Sequence, residues 1–233
     1  MNYDIRICRR EDRAFPEKFR MLKGMPESFY YCGNIELLNE MTGVAIVGSR
    51  SISEYAFELA KDAGRIAADN GIAVVNGLAT GCDTAALTGS LEKNGKCVAV
   101  LAGGINRVYP KVNEGLMQEI MARGGCVISE YAPDEEPKKY TFVQRDRLQS
   151  ALSRGVLMIA ADIGSGTMHT VKSALKQGRR LAAYSSKIVD MSLNRYMLER
   201  GAKEIYDASD LEVFYDEIRK EDSIRQMTLY DVI

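Results

Sequence analysis

An apolar segment that ends in Gly48, Ser49 and Arg50 is the first place where the sequence predicts chemistry. Glycine lets a backbone approach a ligand closely, and a guanidinium beside it can form two parallel hydrogen bonds with a phosphate. A second basic group lies between residues 137 and 154, where five basic side chains accompany a single acid, Asp146. These residue types favour binding of a phosphate-bearing ligand.

Three more glycine-containing segments follow apolar runs: NGLATGCD (76–83), AGGINRVYP (102–110) and IGSGTMHT (163–170). Each precedes a predicted helix, whose first N–H groups are unpaired and attract anions. The candidate phosphate contacts in these segments are Gly77, Gly81, Gly103, Gly104, Gly164, Ser165, Gly166 and Thr167. Any one segment alone could simply be a tight turn, whereas four together favour an anion site.

No catalytic arrangement accompanies these segments. The sequence has a single histidine, His169, and lacks the H-E-x-x-H, G-x-S-x-G and Walker A patterns. Gly48 has no second, suitably spaced glycine to admit a pyrophosphate, which argues against a dinucleotide oxidoreductase. We therefore predict no catalytic residue, no metal and no cofactor.

Composition limits the class of protein. With 233 residues, 46% of them hydrophobic, the chain can form one main core. Its 31 basic and 32 acidic residues nearly cancel, so any nucleic-acid site must be local. The five cysteines form no C-x-x-C pair, and no apolar run reaches the length of a membrane span. We expect a cytoplasmic protein with no membrane contact.

Apolar runs flanked by glycine alternate with amphipathic segments along most of the chain. Strands are predicted at Val44–Val47, Ile72–Val75, Cys97–Leu101, Cys126–Ile128, Val156–Ala161 and Leu181–Tyr184. Helices are predicted from Ser53 to Asn70 and at Thr84–Lys93, Val112–Arg123, Arg145–Arg154 and Thr167–Gln177. This alternation predicts an α/β fold: a doubly wound, mostly parallel, Rossmann-like sheet over about 41–186 with helices on both faces.

The segments on either side of the main domain are expected to be short. We predict an N-terminal extension at 1–40, the main domain at 41–190 and a helical tail at 191–233 formed by two helices around a short strand. An apolar stripe in the tail has helical spacing, and its members are Leu211, Phe214, Tyr215 and Ile218. The stripe should pack on the domain or on a partner subunit.

Six motifs in order carry a resemblance: VAIVGSRSISEYA, VVNGLATGCDTAAL, KCVAVLAGGINRVYP, GGCVISEYAP, FVQRDRLQSALS and SGTMHTVKSALKQGRRLAAY. Together they resemble the Rossmann-like domain of the DNA processing protein A (DprA/Smf) family over about 41–186. The upstream segment LKGMPESFYYCGNIELL resembles the one that precedes this domain in the family.

The resemblance implies a non-enzymatic, single-stranded DNA-binding protein. Family members act as homodimers and deliver DNA to the RecA recombinase in natural transformation. By this resemblance Arg50 and Lys139 contact phosphates, Phe142 packs on a base, and Arg145 and Arg147 belong to a second basic motif.

The chain departs from the family pattern at four places, occupied by Leu87, Asp146, Ala160-Ala161 and Ser185-Ser186. A carboxylate at position 146 should repel phosphate or compete for an arginine.

Two alternatives remain open. One is a non-catalytic sensor of a small nucleotide. The other is an enzyme resembling nucleoside-monophosphate phosphoribohydrolases, although Thr170 stands where those enzymes have a glutamate.

Overall fold

The described residues fold around a nine-stranded sheet. The computed structural model describes the backbone of residues 3–230 and the side chains of residues 3–222. The strands are β1 (Arg6–Arg9), β2 (Ser28–Gly33), β3 (Gly43–Val47), β4 (Ala73–Asn76), β5 (Cys97–Leu101), β6 (Cys126–Ser129), β7 (Gly155–Met158), β8 (Arg180–Tyr184) and β9 (Lys203–Ile205).

Helices cover both faces of this sheet. They are α1 (Glu17–Arg20), α2 (Leu37–Glu40), α3 (Glu54–Asp69), α4 (Cys82–Glu92), α5 (Glu114–Ala122), α6 (Lys139–Leu152), α7 (Thr167–Lys176), α8 (Ser192–Leu198) and α9 (Ala208–Tyr230). A short 3₁₀ helix, Lys111–Asn113, precedes α5.

The strand order is β1-β2-β6-β5-β4-β3-β7-β8-β9. Strands β3 to β9 pair in parallel, whereas β1 and β2 join the edge beyond β6 in antiparallel pairing. From β3 the chain adds β4, β5 and β6 in turn on one side, and it then crosses over to add β7 on the other side of β3. The α/β, mostly parallel architecture is confirmed, and its topological switch point, where such folds bind ligands, lies between β3 and β7.

Burial of both faces explains why the central strands are continuously apolar. In β3, Val44 and Ile46 pack in one core with α3 and α4, while Ala45 and Val47 pack on the opposite face with α7. A third cluster joins α6 to β4, β5 and the N-terminal segment. The loops at the carboxyl ends of the strands are thereby held by helices on both sides.

The sheet is wider than the sequence predicts. β1 and β2 precede residue 41, and β9 follows residue 186. The predicted strand at 156–161 ends earlier, at Met158, and the helix predicted to begin at Arg145 begins at Lys139. The division at residues 40 and 190 stays a prediction, and residues 1–2 and 231–233 lie outside the described part of the chain.

The tail contains α8, β9 and α9, and the predicted apolar stripe on α9 faces inward. Leu211, Phe214 and Ile218 are buried, and the Tyr215 hydroxyl donates to the carbonyl of Ala63 on α3 at 2.9 Å. The stripe therefore packs on the same chain. Among the described residues, none of the helices combines the length and apolar character that crossing a bilayer requires.

Candidate functional site

A cleft of about 690 Å³ opens at the carboxyl ends of β3 and β7, at the switch point of the sheet. It is lined by Val47, Gly48, Ser49, Arg50, Ser51, Ala79, Asp83, Tyr109, Lys139, Phe142, Val143, Arg145, Asp146, Gln149, Ser165, Gly166, Thr167, His169 and Thr170. Nine of the residues predicted from the sequence meet here: Gly48, Ser49, Arg50, Lys139, Phe142, Arg145, Ser165, Gly166 and Thr167.

The Gly48–Arg50 turn is tied down by its neighbours. The Ser49 amide donates to Ala160 O at 2.8 Å, and the Thr167 hydroxyl donates to Gly48 O at 2.9 Å. Gly81 has a φ of +72°, and a Cβ there would lie 2.4 Å from Arg50 O. Only glycine fits that position, so Gly81 supports the turn from behind.

One face of α6 forms a wall of the cleft. Lys139, Phe142, Asp146 and Gln149 follow a spacing of three and four residues, which places them on the same side of a helix. The helix begins at Lys139 because the Lys138 amide donates to the Thr141 hydroxyl at 3.0 Å, which satisfies one group at the helix start. The early start brings Lys139 and Phe142 into the site.

Two rings and a guanidinium meet at the mouth of the cleft. The Arg50 guanidinium carbon lies 5.1 Å from the centre of the Phe142 ring. The Tyr109 ring lies edge-to-face with Phe142, with ring centres 5.7 Å apart and planes inclined by 71°. Arg50, Lys139 and Tyr109 are exposed and Phe142 is half-buried. Aromatic surface beside cations suits a ligand that has both bases and phosphates.

Arg50 and Lys139 are available cations. Within the described residues neither makes a salt bridge to a carboxylate, and the Arg50 guanidinium lies over the ring of Phe142. By contrast, Lys138 pairs with Glu135 at 3.7 Å. An unpaired exposed cation can bind a phosphate without first losing an internal partner.

Arg145 lines the cleft, but its guanidinium is bound to other groups of the protein. It is 6% exposed, and its Nη1 donates to the carbonyls of Gly77 and Val100, both at 2.7 Å, while Nε donates to Asp146 at 3.0 Å. It therefore joins the ends of β4 and β5. We revise the prediction for Arg145 from phosphate contact to support of the cleft wall.

Two carboxyl groups line the cleft beside Arg145. Burial raises the pKa of Asp146, which is 8% exposed, and the Arg145 guanidinium partly opposes that rise. Burial also raises the pKa of Asp83, whose carboxylate accepts the amides of Gly77 and Ala79. As expected from the sequence, Asp146 competes for an arginine, so the polar floor of the cleft is less positive than its mouth.

The first turn of α7 forms another part of the cleft wall. Ser165, Gly166 and Thr167 line it, and the Ser165 Oγ is buried without a hydrogen-bond partner in the described structure. A Cβ on Gly166 would meet open space, so packing does not require glycine there. Because Gly166 has no side chain, a ligand has room to approach the start of the helix.

The remaining predicted residues do not line the cleft. They are Gly77, Gly81, Gly103, Gly104, Arg147 and Gly164. The amides of Gly77 and Gly104 already donate to Asp83 and Glu135, and a Cβ on Gly103 would lie 2.9 Å from Pro137. Arg147 pairs with Glu130 at 2.6 Å. Gly77, Gly103, Gly104 and Arg147 therefore have internal contacts, and the predicted DNA contact of all six residues stays a prediction.

Several lining residues were missed at the sequence level, namely Asp83, Tyr109, Gln149, His169 and Thr170. The spacing of Gln149 from Phe142 along α6 was a usable signal. Of the departures, Leu87 and Ser185 are buried and do not line the cleft, whereas Asp146 does.

Comparison with known proteins identifies relatives. The family model described as DNA recombination-mediator protein A matches residues 6–216. DNA processing protein DprA of Streptococcus pneumoniae is 33% identical over 86% of this chain and 71% of its own length.

Two solved structures are similar. A crystal structure of Streptococcus pneumoniae DprA matches with a TM-score of 0.80 and 30% identity, covering 89% of this chain and 73% of that one. DprA from Helicobacter pylori, described for its single-stranded DNA binding mode, matches with a TM-score of 0.83 and 29% identity, covering 94% of this chain and 98% of that one.

Proposed function

This chain belongs to the DNA recombination-mediator protein A family, and we propose that it binds single-stranded DNA in the cleft between α6 and α7. Arg50 and Lys139 contact successive phosphates at the mouth of the cleft. The backbone amides in the first turn of α7 donate to a further phosphate oxygen. The protein holds the strand and breaks no bond.

The observation that carries this proposal is the pairing of free charge with aromatic surface. Arg50 and Lys139 are exposed, make no salt bridge among the described residues, and flank Phe142 and Tyr109 in one cleft. Phosphate contacts supply affinity that is independent of sequence, and stacking on a ring tolerates any base. This combination suits a carrier of strands of arbitrary sequence.

Membership of the family supports a proposal for the wider role of the protein. We propose that the bound strand is presented to a RecA-type recombinase during DNA uptake, and that the protein works as a homodimer. A homodimer would supply two clefts for one strand, which raises overall affinity through effective concentration.

Fluorescence anisotropy with labelled oligo-dT tests DNA binding directly. We expect Lys139→Ala to weaken binding about fivefold, because one phosphate contact by an exposed lysine is lost. Lys138→Ala is the matched control, since Lys138 already has Glu135 as a partner and does not line the cleft. It should bind as the wild type does.

Competition with free nucleotides separates DNA binding from nucleotide sensing. Unlabelled oligo-dT should displace the probe at far lower concentration than any mononucleotide. Firm binding of a nucleoside monophosphate together with no binding of oligo-dT would replace our proposal with the sensor.

A further inference from the structure

We propose that Tyr109 is a second base-stacking ring beside Phe142. The two rings hold two neighbouring bases at an angle to each other, and the cleft therefore favours unpaired strands whose bases stack weakly. The inference rests on the proposed binding of single-stranded DNA and adds to it a residue and a preference.

The exposure of Tyr109 is imposed by its surroundings. Its side chain is 53% exposed although the residue before it, Val108, is buried. The chain on both sides is fixed: the Asn106 amide donates to Pro133 O at 2.9 Å, and the Asn113 side chain donates to Leu78 O at 2.9 Å. A fixed backbone that leaves a ring in solvent presents that ring at little further cost in conformational entropy.

The ring lies where a base would arrive. Tyr109 lines the cleft, and its ring centre is 5.7 Å from that of Phe142. Tyr140 offers a useful contrast: it is also 53% exposed, but its ring neighbours the Lys138 ammonium at 6.0 Å and does not line the cleft. Position rather than exposure distinguishes the two tyrosines.

The angle between the rings gives the preference. Because the planes of Tyr109 and Phe142 are inclined by 71°, bases stacked on the two rings cannot remain parallel to each other. A strand must therefore unstack one base step to use both rings. Adenine tracts resist this more than thymine tracts, since purines stack more strongly, and a duplex resists it most.

Anisotropy measured with oligo-dT and oligo-dA of equal length tests the inference. Tyr109→Ala should weaken oligo-dT binding about 5- to 150-fold, the loss that corresponds to one stacked base, and should reduce the preference for oligo-dT over oligo-dA. Tyr109→Phe keeps the ring and should bind as the wild type does. Tyr140→Ala, the matched control, should also leave binding unchanged.

A spectroscopic readout reports directly whether a base step opens on binding. A strand carrying 2-aminopurine next to a thymine should brighten on binding to the wild type, because the base step opens, and less so with Tyr109→Leu. Thermal melting identifies any variant that fails to fold.

Two results would overturn the inference: oligo-dT affinity unchanged in Tyr109→Ala, or equal losses in Tyr109→Ala and Tyr140→Ala. Arg50→Ala separates a failure of this inference from a failure of the proposed DNA binding. If Arg50→Ala weakens binding and Tyr109→Ala does not, only the second ring is lost. If neither weakens binding, the proposed function fails as well.

Discussion

Two basic regions in the described part of the chain can be compared, and the one with fewer cations is the better candidate for binding DNA. The cleft offers Arg50 and Lys139, whereas a second pocket of about 640 Å³ is lined by Arg179, Arg180, Arg200 and Lys203. In the second pocket the Arg180 Nε donates to Glu221 at 2.6 Å, and Lys203 pairs with Glu217 at 2.7 Å. The count of charges does not identify the site, because internal partners already occupy these cations.

The fold reinforces this difference. Strands β8 and β9 begin at the second pocket, whereas β3 and β7 end at the cleft. Helix α7 points its N-terminus, the positive end of its dipole, toward the cleft and brings its C-terminus to the second pocket at Leu175. The sheet therefore separates an edge suited to anions from an edge stabilised by ion pairs.

Arg50→Ala is expected to have the largest effect on this comparison. Loss of a charge-assisted hydrogen bond to phosphate, worth about 1.5–3 kcal/mol, should weaken oligo-dT binding about 10- to 150-fold by anisotropy. Arg180→Ala is the control from the second pocket and should change affinity by less than about twofold, since Arg180 is held by Glu221. Equal losses in both variants would remove the distinction between the two regions.

Asp146→Asn should have the opposite effect and strengthen DNA binding in the cleft. Removing a carboxylate from the cleft floor should tighten oligo-dT binding at pH 7 by about three- to tenfold, the energy of one partly screened charge at close range. Because burial raises the pKa of Asp146, the wild type should also bind more tightly as the pH falls toward that raised value. The variant should lose most of this pH dependence.

The same pKa shift has a consequence for folding stability. A carboxyl whose pKa is raised in the folded state takes up protons on folding, so its contribution is most favourable below its unfolded pKa of about 3.9 and decreases as the pH rises through the raised value. Any pH dependence of stability that remains in Asp146→Asn is assigned to Asp83, whose pKa is also raised.

The DNA affinity of Asp146→Asn at pH 7 tests the position of the carboxylate. If it equals that of the wild type, the Asp146 carboxylate does not face the DNA.

Gly166→Ala should have the smallest effect. A Cβ at Gly166 or at Gly164 meets no atom within 4 Å, so both alanine variants should fold with unchanged melting temperatures. Only Gly166 lines the cleft. We expect Gly166→Ala to weaken binding about two- to fivefold by obstructing the amides of α7, and Gly164→Ala to bind normally. A greater loss in Gly164→Ala would move the anion site away from the cleft lining.

The central strands were predictable because a buried parallel strand leaves a continuous apolar run. β1 was not, because RICR forms an edge strand in which only Cys8 is buried. α6 was predicted to start too late, because the basic segment before Arg145 has no apolar periodicity, and its start depends on the Lys138 and Thr141 hydrogen bond.

The site was predictable in part. Arg50, Lys139 and Phe142 were identified by resemblance, and the structure brings them into one cleft. A glycine required by tight packing and a glycine that contacts a ligand give the same signal in a sequence. Gly77 is an example of the first kind, because the Arg145 guanidinium occupies the position of its Cβ. Tyr109 was missed because only the strand order brings the loop after β5 next to α6.

The salt dependence of oligo-dT affinity tests most directly whether free cations of the cleft make the phosphate contacts. For single strands the slope of log affinity against log salt is about −0.7 per phosphate contacted. We predict that Arg50→Ala reduces its magnitude by about 0.7, and that Arg180→Ala leaves the wild-type slope unchanged. A reduced slope in Arg180→Ala together with a wild-type slope in Arg50→Ala would contradict the account.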